Sequence, residues 1–149
     1  MKITEFLNAE HVLLVAQLRH LEGLLRHDTP RAELAAAVKT VAAAVEAHHE
    51  AEERFLYPAV LEAFGPSFPP LERLLAQERD IQALLLQVAG GVSDRPLVQR
   101  FVDLLRSHID AETRTLFPMV EDKVSTVKLC SMYERRLKDL FERETVRAH

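Results

Sequence analysis

Apolar residues recur along this chain every three or four positions, and the recurrence is interrupted at only a few places. The interruptions are Asp28-Thr29-Pro30, Gly65-Pro66 with Pro69-Pro70, Gly90-Gly91 with Ser93-Asp94 and Pro96, and a softer one at Ser125-Thr126. A period near 3.6 predicts amphipathic helices, here near 8–27, 30–64, 70–89, 95–123 and 126–146. Thr29-Pro30 and Asp94 read as helix starts, each a capping side chain close to a proline; Gly65 and Gly90 read as helix ends. Short connections turn each helix back on the one before it, so the first four should form an up-down-up-down bundle with the fifth as an addition. The expected division is a bundle over 1–123 and a C-terminal helical extension over 124–149.

The inward stripe of the second helix runs Val41, Val45, His48, Glu52, Leu56, Ala59, and that of the fourth runs Phe101, Leu105, His108, Glu112, Leu116, Met119. Corresponding members lie 60 residues apart, and HHEAEERFLYPAV at 48–60 matches HIDAETRTLFPMV at 108–120. The first and third helices extend the repeat at an offset of 68, pairing Leu7, His11, Leu14, Leu18 and Leu21 with Leu75, Arg79, Gln82, Leu86 and Ala89. Pro58 and Pro118 sit at matched places and each removes an amide from the helix ladder, so kinks or early ends are expected there.

Polar residues on these apolar stripes are the informative ones. His48 and Glu52 stand one helical turn apart and converge on one point, and His108 with Glu112 repeats the geometry from another helix. His11 is the histidine on the inward stripe of the first helix. A lone buried histidine is usually a satisfied core residue, and one HxxxE pair arises easily by chance. Two such pairs at equivalent places in a repeat, joined by His11, point to a metal. Imidazole with carboxylate suits iron, manganese or zinc, and bundle cores are known to hold metal pairs this way. Carboxylates left unpaired in a core would otherwise cost several kcal/mol each.

Composition narrows the class. Gly 4 and Pro 7 in 149 residues leave little of the punctuation hairpins need, so the chain reads as one all-α domain. A net charge of −4 argues against nucleic acid as partner. No apolar run approaches the roughly 18 residues of a membrane span, and no signal-peptide core follows Met1-Lys2, which makes the cytoplasm the expected location and a membrane partner unexpected. The single cysteine, Cys130, excludes an internal disulfide and fits a reducing compartment.

Residues 7–122 resemble the hemerythrin-like, or HHE cation-binding, family. The resemblance rests on Glu10-His11, on His48 and Glu52 with Glu53 and Leu56-Tyr57-Pro58, and on His108 and Glu112 with Leu116-Phe117-Pro118. It implies a four-helix bundle carrying a non-haem di-iron centre that binds oxygen or acts on oxygen, peroxide or nitric oxide. By the same resemblance His11 and His48 would ligate one iron, His108 the other, and Glu52 and Glu112 would bridge. The third helix departs from the pattern: Glu78-Arg79 stands where Glu-His is expected.

Arginine stays protonated and cannot coordinate a metal, so three arrangements remain open. Glu78 or Gln82 substitutes as a ligand and a di-metal site survives. Alternatively one metal sits among His11, His48 and a shared carboxylate while Arg79 fills the other half, or Arg79 pairs with the carboxylates in a metal-free core. The corresponding functions are a non-haem iron protein binding oxygen, nitric oxide or iron as sensor or store, a redox enzyme acting on peroxide or nitric oxide, and a degenerate interaction domain. The expected small-molecule partner is a diatomic ligand or peroxide.

The other histidines, His20, His27, His49 and His149, read as surface residues, with His49 the one that a small rotation of its helix would turn inward. The tail is amphipathic through Val127, Cys130, Tyr133 or Met132, Leu137, Leu140 and Phe141, and either folds back on the bundle or forms a homodimer with a second copy. Cys130 is expected as a buried thiol, with redox sensing as the alternative, and Tyr57 as a packing residue, with a redox or hydrogen-bonding role near the metal as the alternative.

Overall fold

The structure, a computed structural model, describes residues 1–90 and 94–148. The break expected at Gly91 and Ser93, and the surface reading of His149, lie outside the described residues. The helices are α1 (Ile3–Arg26), α2 (Arg31–Ala51), α3 (Tyr57–Phe64), α4 (Pro69–Gly90), α5 (Arg95–Ala111), α6 (Phe117–Lys123) and α7 (Thr126–Arg147). A single π-helical turn, Glu52–Leu56, joins α2 to α3, and a second, Glu112–Leu116, joins α5 to α6. These pairs run on as two long rods, so with α1 and α4 they build a four-helix bundle. In it α1 packs beside α2 and α5, and α4 packs beside the same two.

The first helix begins at Ile3 rather than near 8 because Ile3 and Leu7 continue its inward stripe and are fully buried. Two of the expected caps hold: Asp94 accepts the Leu97 amide at 3.3 Å, and Gly65 leaves α3 with φ of 91°, a conformation that favours glycine. Thr29 differs. Its hydroxyl donates to the Leu24 carbonyl at 2.7 Å, finishing α1 instead of starting α2. The Arg95 guanidinium donates to the carbonyls of Leu25, His27 and Thr29, closing the end of α1 that the helix itself leaves unpaired.

Pro58 and Pro118 do not end their rods. Each follows a π-helical turn closed by a bond five residues back, Tyr57 N–H to the Glu52 carbonyl and Phe117 N–H to the Glu112 carbonyl. A proline ring in a continuous α-helix would strike the carbonyl four residues earlier and offer no amide to it. The wider turn absorbs both problems. Each turn begins with one of the two carboxylates singled out above.

The bundle interior is layered. One apolar cluster gathers Leu7, Ala51, Leu56, Leu74 and Leu116 among others, and a second gathers Leu14, Val45, Ile81 and Leu105. Between them, on all four rods, lies a polar layer at His11, at His48, His49 and Glu52, at Glu78, and at His108 and Glu112.

That layering corrects the repeat. The buried residues of α4 are Leu71, Leu74, Glu78, Ile81, Leu84, Leu85 and Val88, whereas Arg79, Gln82 and Leu86 are exposed. The offset between α1 and α4 is therefore 67, pairing Leu7 with Leu74, His11 with Glu78, Leu14 with Ile81, Leu18 with Leu85 and Leu21 with Val88. α4 carries two parallel leucine stripes, one through Leu74 and Leu85 and one through Leu75 and Leu86, so apolar periodicity alone does not choose between them. The first stripe buries a carboxyl, which can be neutralised by a proton or a cation. The other would bury a guanidinium that cannot shed its charge.

The last helix folds back on its own bundle, across α1 and the first π-helical turn. Leu129 and Met132 are buried against Phe55 and Leu56 in the first apolar cluster, and Tyr133 stacks obliquely on Phe6 with centroids 5.6 Å apart. Salt bridges from Arg54 to Asp139, Arg143 to Glu50 and Lys128 to Glu62 fix its angle. Its inward face is rotated from the expected one: Val127 and Phe141 are 81% and 71% exposed, Cys130 is half-buried, and Arg136 is buried with its guanidinium over the Phe55 ring. Among the described residues no helix is long and apolar enough to cross a membrane.

Candidate metal centre

Seven side chains make up the polar layer, His11, His48, His49, Glu52, Glu78, His108 and Glu112, and none is more than 3% exposed. The expected residues, His11, His48, Glu52, Glu78, His108 and Glu112, are thus brought together. Arg79 is not among them; it stands in solvent, so the arrangements with a guanidinium in the core are excluded. Gln82 is exposed as well and leaves Glu78 as the α4 carboxyl in the site.

His11 Nε2 lies 3.0 Å from His48 Nε2 and 3.5 Å from Glu112 Oε1, and His48 Nε2 lies 2.5 Å from Glu52 Oε1. Across the centre His108 Nε2 lies 3.1 Å from Glu112 Oε1 and 3.8 Å from Glu78 Oε1. The Tyr57 hydroxyl reaches Glu52 Oε2 and Glu78 Oε1, both at 2.6 Å. Of the two expectations for Tyr57 the hydrogen-bonding one holds, while its counterpart Phe117 packs, stacked on the His11 ring with centroids 5.3 Å apart.

The far nitrogen of three rings is already committed. His48 Nδ1 donates to Glu10 at 3.1 Å, His108 Nδ1 to Gln77 Oε1 at 3.0 Å, and His11 Nδ1 to the Thr113 oxygen at 2.9 Å. Thr113 spends its own proton on Asn8, which leaves its oxygen free to accept. Glu10 and Gln77 are themselves 67 apart, so the repeat extends to the groups that orient the rings. With Nδ1 protonated, each neutral ring turns the Nε2 lone pair inward, the arrangement of a metal-bound histidine held by an outer partner.

Two lone pairs 3.0 Å apart repel unless a cation, a proton or a metal ion, lies between them. The same holds for the rest of the cluster. His49 Nε2, Glu52 Oε1, His108 Nε2 and both oxygens of Glu112 are buried without a hydrogen-bond partner among the described residues. Buried polar atoms in native proteins are rarely left so. Two subsets could each hold a metal ion, His11 with His48, Glu52 and Glu112, and His49 with Glu78 and His108; within each subset the ligand atoms lie within 4.8 Å of one another.

Without metal, protons take up the electrostatic load. Burial opposes charge on His48, but the adjacent Glu52 carboxylate and the bond to Glu10 prevail and lift its pKa to about 10. Burial likewise opposes the charge of His108, and Glu112 outweighs it, so that pKa also rises. Burial and then the charge of His48 hold His11 down to about 4, and burial holds His49 at about 4. Burial lifts Glu78 to about 8 and, with Glu112 close by, raises Glu52. Burial pushes Glu112 up, but the adjacent Glu52 carboxyl and the His108 ring favour its charged form and prevail, so its pKa shifts downward. The metal-free layer therefore holds extra protons that a bound cation would displace.

His49 is buried, against the surface position its place beside the stripe predicts. Its ring meets His108 edge-on, centroids 5.3 Å apart. One signal in the sequence pointed to it: 60 residues on, the repeat places Ile109, an apolar residue, at the same position. His20 and His27 are exposed as expected.

No curated protein and no solved structure gives a significant match to the chain. The model of one family, described as the hemerythrin HHE cation-binding domain, matches residues 2–120, which takes in the whole four-helix bundle up to Val120 and every residue of the polar layer. The chain belongs to that family.

Proposed function

We propose that the polar layer holds a pair of non-haem metal ions, iron first and manganese or zinc as alternatives, and that the protein binds dioxygen or nitric oxide there as a sensor or store. The observation behind this reading is the convergence of seven buried imidazole and carboxyl side chains from all four rods on one interior layer, with the Nε2 and carboxylate atoms of His49, Glu52, His108 and Glu112 left unpartnered there. His11 and His48 would hold one ion and His108 and Glu78 the other, with Glu52 and Glu112 as further carboxylate donors. Carboxylates and imidazoles together form the mixed donor set that suits iron. A bound iron or manganese pair would supply electrons and a Lewis-acid position, whereas zinc would supply the Lewis-acid position alone. The protein's own residues orient the rings through Glu10, Gln77 and Thr113, and the two apolar clusters exclude water on either side. A groove of about 890 Å³ between α1 and α5, lined by Val12, Val15 and Ala16, reaches His11 and Thr113 from solvent and gives a small ligand a path.

A second reading is redox turnover of peroxide or nitric oxide, and Tyr57 favours it. A buried phenol in hydrogen-bond contact with both Glu52 and Glu78 holds a proton next to the centre, where reduction of either molecule consumes protons. Metal analysis of the purified chain, after anaerobic loading with ferrous iron, tests the shared premise: two ions per chain support it and none refutes it. Near-ultraviolet bands that appear with oxygen or nitric oxide and reverse on its removal mark the binding reading. Sustained consumption of peroxide or nitric oxide with an added electron donor as the reductant, lost in His108→Ala, marks the catalytic one.

A further inference from the structure

α4 carries a carboxyl, Glu78, where its partner helix α1 carries His11, so the half of the centre nearer α4 lacks the imidazole that the repeat would provide. We infer that His49 supplies this nitrogen, so that one helix, α2, ligates both metal positions through two consecutive residues. The inference rests on the metal-centre reading above and assigns to it a ligand from a different helix.

Successive residues on a helix point about 100° apart, which ordinarily puts one of a pair in the core and the other in solvent. Here both rings are buried, His48 at 2% exposure and His49 at 3%. They diverge toward different neighbours. His48 faces His11 on α1, with ring centroids 4.7 Å apart, and His49 faces His108 on α5, while its own centroid lies 6.1 Å from that of His48. The ligand atoms of His49, Glu78 and His108 gather within 4.8 Å of one another. His49 Nε2 has no hydrogen-bond partner, although a packing histidine in an apolar core would need one. The equivalent position in the repeat holds Ile109, so the fold itself asks only for an apolar side chain here. The imidazole is an addition that packing does not explain.

His49 also lines a cavity of about 450 Å³ between α2 and α4, whose lining includes Glu46, Glu50 and Glu53 on one side and Gln82 on the other. Glu50 is engaged by Arg54 and Arg143. Glu46 and Glu53 make no ion pair among the described residues and leave the cavity mouth negative. A cation is drawn into such a mouth, whose lining offers the His49 imidazole. The cavity is thus the loading path for the second position, separate from the α1–α5 groove on the far side of the centre.

Cobalt(II) titration of the full-length metal-free chain, followed by visible absorption and metal analysis, tests this. The wild type should take up two ions. His49→Ile, which installs the residue the repeat already accommodates at 109, should keep one ion and bind the second at least ~10-fold more weakly. Thermal melting of the metal-free proteins checks that the variant folds; it should melt no lower than the wild type, since an unpartnered buried nitrogen is removed. The double variant E46Q/E53Q should bind two ions but load more slowly at low salt, by roughly threefold or more, with the difference vanishing at high salt. Two ions bound by His49→Ile at wild-type affinity would overturn the ligand assignment and leave the metal centre standing. Unchanged loading by the double variant would overturn the path. A wild type that binds no ion would remove the centre itself.

Discussion

Tyr57 and Glu78 meet at 2.6 Å, tying α4 to the residue that closes the first π-helical turn. The phenol carries one proton and touches two carboxyls, so it donates to one of them and accepts from the other, and a protonated Glu78 is suited to be the donor because burial lifts its pKa to about 8. Tyr57→Phe should fit, since Phe117 fills the equivalent place in the repeat. It should nevertheless destabilise the metal-free protein by about 1–3 kcal/mol, the cost of leaving buried polar groups unsatisfied. Urea unfolding of the two proteins at neutral pH measures this.

Glu10 and Gln77 act on the metal without touching it. Each accepts the Nδ1 proton of a ring whose Nε2 faces the centre. Glu10→Ala and Gln77→Ala should weaken metal binding by ~10–100-fold while preserving stoichiometry at saturation. Competition against a chromophoric chelator reads the loss directly; equal affinity in all three proteins would remove these residues from the site.

Arg79 is exposed and Glu78 buried, so the two neighbours should respond in opposite ways to the same replacement. Arg79→His should leave metal content unchanged. Glu78→His should retain two ions, because it restores the imidazole found at His11, whereas Glu78→Ala should lose or weaken one. Metal analysis of the three variants distinguishes this register from the alternative stripe.

The Glu78 carboxyl is held well above its ordinary pKa of 4.5 by burial, up to about 8. A raised acid stabilises the fold fully below its unfolded pKa, and that contribution is lost as pH rises through the folded value. The metal-free wild type should therefore weaken between about pH 4.5 and pH 8 relative to Glu78→Gln, which cannot ionise, by on the order of a few kcal/mol at most. Denaturant midpoints across that range test the slope. Metal binding should flatten it, since a cation replaces the proton.

The docking of α7 rests on a small apolar contact. Met132 is fully buried against the cluster containing Phe55 and Leu56. Met132→Ala should cost about 2–5 kcal/mol, and limited proteolysis should then cut within 126–147 before the bundle is attacked.

Much of this was legible in the chain. The four-residue spacing of His48 with Glu52 and of His108 with Glu112 is local, because one helical turn fixes it whatever the helix packs against. The 60-residue repeat then placed the second pair opposite the first. The π-helical turns were half legible: the prolines announced a disturbance, but whether a helix ends, kinks or widens depends on whether the residues beyond are held in line. Here Leu56, Val60, Leu116 and Val120 are buried in one apolar cluster and hold them so.

The chain by itself determined the helices, the internal repeat and those ligand candidates that share a turn of helix, since all three follow from spacing along one backbone. Tertiary structure decided how each helix is rotated about its own axis. A rotation of roughly 100° exchanges Glu78 for Arg79 at the centre, or turns His49 out to solvent, and leucines on two adjoining stripes of α4 let periodicity accept either setting. Packing settled it, because a carboxyl can enter a closed interior with a proton or a cation to neutralise it, and a guanidinium that keeps its charge belongs in water.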